Sequence, residues 1–358
     1  MSSISFGKSK LKKNMSFDNL TNQNNKIDIK FITYKETCGI SIALKRYLDC
    51  LNESYNCIFS HKETYKKYSN NKITFIFRVC DQDTKNIIEF EKNNDRIVIG
   101  IFVWELHTIH DDFINICKLY DHIIVPSCQL KTLFSQYGIT NVSTIYHSLP
   151  LNHQKLKYTD AFQSIDRNAF IFYSVCTNSC RKNVIALING FVQYVESTNS
   201  NAILVLKIDS IPKNVLKSDK IHYFTSFLKD SEIDYLHNIG DCYVCTSYSE
   251  GVNLPMIDAA FSNSFIISSH FGGSIEYFPF SLQISTLLTN NNDDYYYFKK
   301  TDQWMEIDIE HYCELLKYVY NNNEELKPIL NIQKSHIQSI CDPKQIKKQL
   351  ILVIENFL

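Results

Sequence analysis

The chain is expected to be an α/β protein with two doubly wound Rossmann-like domains facing a cleft, and three observations carry that expectation. Short apolar strand segments alternate with helical periods along most of its length, the pattern of parallel sheets covered by helices. Its 358 residues are long for a single core, so two domains of ordinary size follow. A polar stretch over 151–168 parts two such α/β series.

In order along the chain, residues 1–26 are rich in Ser, Asn and Lys with little apolar periodicity, and read as a disordered polar tail. Lys8, Lys10, Lys12 and Lys13 fall there without an apolar anchoring face, so membrane contact is expected to be peripheral at most. An N-terminal domain over 27–150 opens with a strand at 27–33, then Gly39 and apolar residues at helical spacing (Ile42, Leu44, Tyr47, Leu48, Leu51). Further strands read at 56–60, 73–79, 96–103, 121–125 and 142–146. After the linker 151–168, a C-terminal domain over 169–340 holds a strand at 170–175, a helix at 183–196, strands at 202–208 and 221–224 and a helix at 231–239. It continues with a strand at 241–246, a helix begun by Pro255, and a strand at 265–269. Residues 287–303, with Asn and Tyr clusters, read as a surface excursion. Tyr312, Leu315, Leu316 and Val319 mark a helix, and Ile346, Leu350, Ile351 and Ile354 a last one in a C-terminal segment 341–358.

Bulk properties exclude several function classes. A net charge of −1 without a long charge block gives no reason to expect nucleic acid. No apolar run approaches the ~20 residues that span a bilayer. The twelve cysteines are scattered through apolar stretches, as reduced thiols of a cytoplasmic protein are. Cys242-x-x-Cys245 lies within a strand pattern and no second pair follows, so core packing is the favoured reading over zinc.

Three segments of the second domain carry chemistry. Ser249-Glu250-Gly251-Val252-Asn253-Leu254-Pro255 follows a strand and feeds a short helix bearing Asp258. Pro255 suits the first helical turn, and such a helix end offers N–H groups and partial positive charge to a phosphate. The competing reading is a capped helix with acids near its dipole. Arg181-Lys182-Asn183 opens another helix, where two cations oppose the dipole unless an anion offsets them; side chains extended into water are the alternative. Phe271-Gly272-Gly273-Ser274-Ile275-Glu276 follows a third strand, and its glycines permit close backbone approach to a ligand. In a doubly wound sheet these loops converge on one crevice.

Taken together, Ser-x-x-Glu-Gly-x-x-Leu-Pro-x-x-x-Asp-Ala, the upstream Arg181-Lys182-Asn183 and the downstream Gly-Gly-x-x-Glu resemble the retaining glycosyltransferases of family 4, which have the GT-B fold. The resemblance covers most of 28–325. It includes the Gly39-Ile40-Ser41 turn, Trp104-Glu105-Leu106, the 121–127 segment and Tyr146-His147-Ser148-Leu149. It implies a cytoplasmic hexosyltransferase that moves a sugar from a nucleoside diphosphate to the hydroxyl of a glycan, lipid or protein acceptor, with retention of configuration and no metal or other cofactor. By the same resemblance Lys182, helped by Arg181, neutralises the donor diphosphate and Glu250 contacts the donor sugar. Main-chain groups at Val252, Asn253 and Leu254 meet sugar and phosphate, and Asp258 holds the ribose hydroxyls. Gly39 approaches the diphosphate from the opposite domain, Gly272 and Gly273 complete the donor site, and His107 is the candidate histidine near the sugar. Two departures stand out: Thr177 occupies the place of an arginine common five residues before the lysine, and Asp258 replaces a glutamate.

Three other readings compete. Asp81-Gln82-Asp83 resembles the metal-binding Asp-x-Asp of the other large glycosyltransferase fold, against a plain surface turn. A catalytically inactive GT-B-like protein that binds a nucleotide sugar or a partner is the second. A nicotinamide-dependent oxidoreductase fits the fold class, but the Gly-x-Gly-x-x-Gly expected after the first strand is missing.

Overall fold

The computed structural model describes residues 26–36, 38–67, 70–151, 159–269, 271–291 and 297–358. The proposed tail, apart from Lys26, lies outside the described residues, as do 152–158 of the linker and His270.

The first sheet comprises β1 (Asp28–Thr33), β2 (Asn56–His61), β3 (Ile73–Ile76), β4 (Ile97–Ile101), β5 (His122–Val125) and β6 (Val142–Thr144). They run parallel in the order β2-β1-β3-β4-β5-β6. Its helices are α1 (Gly39–Leu51), α2 (Gln82–Lys92), α3 (Asp111–Cys117) and α4 (Cys128–Gln136). Strands covered on both faces bury nearly every side chain; in β1 only Asp28 is partly exposed. Burial extends to Lys30, whose ammonium lies 2.7 Å from Glu91, and Glu91 in turn lies 2.7 Å from Arg96. This closed group of charges ties β1 to α2 and to the start of β4.

The second sheet comprises β7 (Phe170–Val175), β8 (Ala202–Lys207), β9 (Ile221–Phe224), β10 (Cys242–Cys245), β11 (Phe265–Ser269) and β12 (Leu282–Ile284). Read from β9 its order is β9-β8-β7-β10-β11-β12, with parallel pairing throughout. That is the Rossmann order, and the sequence in which strands are added reverses between β7 and β10. Helices α5 (Val184–Ser197), α6 (Asp230–Ile239), α7 (Leu254–Phe261) and α8 (Ser274–Tyr277) accompany it. Cys242 and Cys245 point to opposite faces of β10 and enter separate apolar clusters, so they cannot form a pair of ligands to one metal.

The excursion at 287–303 is more ordered than composition suggests. β13 (Thr286–Asn290) and β14 (Gln303–Ile307) form an antiparallel ribbon, and Phe298 and Trp304 are buried against the first-domain cluster that includes Trp104. Residues 292–296 lie outside the described part. The long α9 (Ile309–Ile340) is interrupted at Asn322, and α10 (Pro343–Glu355) returns to pack on α1. There Lys347 meets Glu53 at 2.7 Å, and Leu149 N–H donates to the Cys341 carbonyl at 3.0 Å. Among the described residues no helix is long and apolar enough to cross a membrane.

Candidate active site

The loops that leave β7 and β10 flank the reversal of strand order, where open α/β sheets bind ligands. Arg181 and Lys182 arrive on the first of these loops. They do not open a helix as the sequence suggests: they form a separate 3-10 turn, Cys180–Lys182, and α5 starts only after Asn183. Asn183 makes the break because it adopts left-handed φ/ψ (46°, 44°), a conformation Asn tolerates better than most residues. Freed from the helix axis, the two cations turn toward the second loop.

Glu250 arrives on that second loop and is 5% exposed. Its Oε1 lies 2.5 Å from Lys182 Nζ and accepts from Ser247 Oγ at 2.6 Å, while Oε2 lies 2.9 Å from Arg181 Nη1. Asn253 Nδ2 adds a longer contact at 3.3 Å. Burial alone would push the Glu250 carboxyl up, but Lys182 and Arg181 outweigh it and hold the group down at about 2. For Arg181 burial works downward, and the carboxylates of Glu105 and Glu250 reverse it, so the guanidinium is raised above its ordinary range. Beside this cluster, Asn183 Nδ2 and Ser249 Oγ are buried side-chain atoms without a hydrogen-bond partner among the described residues.

Helix α7 begins at Leu254, with Asn253 as its cap: the side-chain oxygen accepts from Met256 N–H at 3.2 Å. Pro255 stands in the first turn, as the sequence anticipates. Asp258, one turn further, does not join the Glu250 cluster. Its Oδ2 lies 2.6 Å from Arg46 Nη2 on α1, a bridge between the domains.

The glycine turn after β11 closes over the Glu250 loop. Gly272 has φ +62°, and a Cβ there would sit 2.2 Å from the Glu250 carbonyl oxygen; at Gly273 it would sit 2.6 Å from that of Gly251. Both positions therefore serve close packing of one loop on another. Gly251 in turn lies against the first domain, where a Cβ would meet Val103 Cγ1 at 2.2 Å and the Trp104 carbonyl at 2.9 Å. At Gly39, the first residue of α1, a Cβ would meet nothing within 4 Å. His107 is exposed, with its ring 4.5 Å from Phe271, and borders a cavity of about 280 Å³ between Trp104, Gln129, Leu133 and Gly272. Val252 is half-buried and Leu254 buried.

Two residues with no assigned role from sequence prove central. Glu105, on the loop after β4, places Oε1 3.0 Å from Arg181 Nη2, and its other oxygen accepts from the Tyr297 hydroxyl. Glu276 crosses to the first domain, where its oxygens accept from Cys128 and Gln129 N–H at 2.9 and 2.6 Å, the first turn of α4. An acid at a helix N-terminus answers both orphan N–H groups and the dipole. An acid just after a first-sheet strand was the available signal for Glu105; its partner, 76 positions on, was not readable. Asp81 is the N-cap of α2, accepting from Thr84 N–H at 2.8 Å, and Asp83 lies 3.4 Å from Lys62. That is the surface-turn reading of the acidic triplet.

No family model matches the chain, and no curated protein matches its sequence. Solved structures match its fold. HepE of Anabaena, solved in complex with UDP-glucose, aligns over 92% of this chain and 100% of its own, with TM-score 0.70 and 11% identity. Sucrose-phosphate synthase from Thermosynechococcus elongatus gives 0.70 at 11% identity, over 92% of this chain and 99% of its own. A glycosyltransferase from Rickettsia africae gives 0.66 at 13%, over 93% and 99%. At such identities the likeness establishes the fold, the two-domain Rossmann-like GT-B arrangement.

Proposed function

We propose that this protein is a glycosyltransferase that transfers a hexose from a nucleoside-diphosphate sugar to a hydroxyl of a glycan, lipid or protein acceptor, with retained configuration and without a metal. The observation that carries the reading is the convergence of Arg181 and Lys182 on Glu250 at the strand-order reversal of the second sheet. A departing nucleoside diphosphate gathers negative charge, and cations already in place stabilise that charge without reorganising. Lys182 and Arg181 take this part, in place of a divalent cation. Glu250, kept ionised by the same cations, accepts hydrogen bonds from the sugar hydroxyls. The unpaired Asn183 amide and Ser249 hydroxyl support a polar ligand nearby, because buried polar groups without partners are costly and cluster at functional sites.

The remaining roles are those the family resemblance implies. Gly39 has open space in front of it and meets the diphosphate from the first domain, Val252, Asn253 and Leu254 offer main-chain groups, and Gly272 and Gly273 shape the sugar side. His107 faces the sugar from the cavity it borders. Asp258 takes the ribose hydroxyls while sharing its carboxylate with Arg46. A neighbour solved with UDP-glucose supports a uridine donor. We place the protein in the cytoplasm, where its twelve cysteines stand as thiols.

Wild-type protein is expected to be stabilised by UDP or GDP and to hydrolyse or transfer from the matching sugar nucleotide in the presence of a chelator. Lys182→Ala and Glu250→Ala should each lower turnover by roughly 100-fold or more. Nucleotide-sugar binding with no turnover by the wild type would establish a non-catalytic binder instead. Activity that a chelator abolishes would remove the metal-free mechanism.

A further inference from the structure

The charged cluster at the domain interface is self-neutralising. Arg181 stands between Glu105 at 3.0 Å and Glu250 at 2.9 Å, and Lys182 is 2.5 Å from Glu250. Two cations face two carboxylates, so the formal sum is zero. The carboxylates are held very differently. Glu250 belongs to the same loop system as the cations and is pinned by Ser247 and Asn253. Glu105 comes from the opposite sheet, from the loop after β4, steadied by the Tyr297 hydroxyl, whose ring stacks on Trp104 with centroids 5.3 Å apart. A guanidinium prefers anions in bidentate geometry, and a diphosphate offers that geometry as a carboxylate does.

We propose that Glu105 is a built-in competitor for the donor's diphosphate: it occupies the Arg181 Nη2 face that the diphosphate needs, and so sets donor affinity and hastens loss of the spent nucleotide. The inference rests on the function proposed above. A diphosphate must break the Glu105 contact before it gains its own, so its apparent affinity is reduced to the intrinsic affinity multiplied by the fraction of molecules in which Arg181 is free. Once transfer has occurred, return of Glu105 to Arg181 replaces one anion by another and releases the product.

The test is calorimetric titration of UDP into wild type, Glu105→Gln, Tyr297→Phe and Arg181→Ala, with uridine as the phosphate-free control. Glu105→Gln should tighten UDP by about tenfold and leave uridine unchanged; Tyr297→Phe, which loosens Glu105, should tighten UDP by about twofold. Arg181→Ala should weaken UDP by at least tenfold. UDP affinity unchanged or reduced in Glu105→Gln, alongside the expected loss in Arg181→Ala, overturns the competitor role and leaves the proposed function standing. Should Glu105→Gln fail to fold, unchanged UDP affinity in Tyr297→Phe overturns it equally. Failure of the wild type and every variant to bind UDP, or GDP titrated in the same way, overturns this inference together with the reading on which it rests.

Discussion

Glu250 owes its ionised state to its partners, and pH exposes that dependence. The ordinary carboxyl value for Glu is 4.5, and in the folded protein Lys182 and Arg181 hold it at about 2 against the opposing effect of burial. A depressed acid stabilises the fold fully above the unfolded value, and that contribution is lost as pH falls through the folded one. Denaturant titrations of wild type should therefore show stability falling from pH 4.5 toward pH 2. Glu250→Gln, which has no such proton to take up, should show a shallower fall across the same window. Parallel curves would mean that the two cations do not hold this carboxylate. Residue identity was readable here, since an acid eight positions before Asp258 and a basic pair upstream define the motif. The break at Asn183 was not, because a left-handed Asn is decided by what the turn must reach.

Elements meet at this site through their backbones. Three loops, those of Gly251, Gly272 and the segment after β4, pack so closely that a Cβ at Gly251 or Gly272 would collide with its neighbours. Gly251→Ala should cost about 1–3 kcal/mol by overpacking, since the Trp104 carbonyl is main chain and cannot swing aside. Thermal unfolding of the variant would measure it; a change below a few tenths would show that the two domains separate freely at this seam. The capping of α7 is legible in sequence, because Asn253 and Pro255 are local signals. The sequence reads 287–303 as a surface excursion, and the ribbon of β13 and β14 overlaps it. Its strand residues Leu287 and Leu288 are exposed while Trp304 and Ile307 are buried, the first against the first-domain cluster and the second within the second-domain one, so its order comes from packing against both domains.

Across the whole molecule, the bridges that join the domains include Arg46 to Asp258, Glu105 to Arg181, His110 to Asp302, and Glu276 to the start of α4. Arg46 is largely buried and also donates to the Ser148 carbonyl at 3.4 Å. Arg46→Ala should destabilise the protein by about 1.5–3 kcal/mol, the range for hydrogen bonds to charged groups. Asp258→Ala should recover part of that loss in the double variant. A double-mutant cycle gives the coupling, and a value near zero would mean that the bridge contributes nothing to holding the domains. Small-angle scattering of Arg46→Ala reports the same question as a change in the radius of gyration.

Periodicity, strand spacing and loop motifs depend on residues within one or two turns of each other, so the two α/β series, the helix signals around Pro255 and the candidate cations and carboxylate were all present in the linear sequence. Tertiary structure alone decided which charges meet. Arg46 and Asp258 are separated by 212 positions and Arg181 and Glu250 by 69, and no local rule selects such pairs. Burial then sets their strength, because a charge withdrawn from water requires a partner and takes whichever one the folded sheets bring within reach.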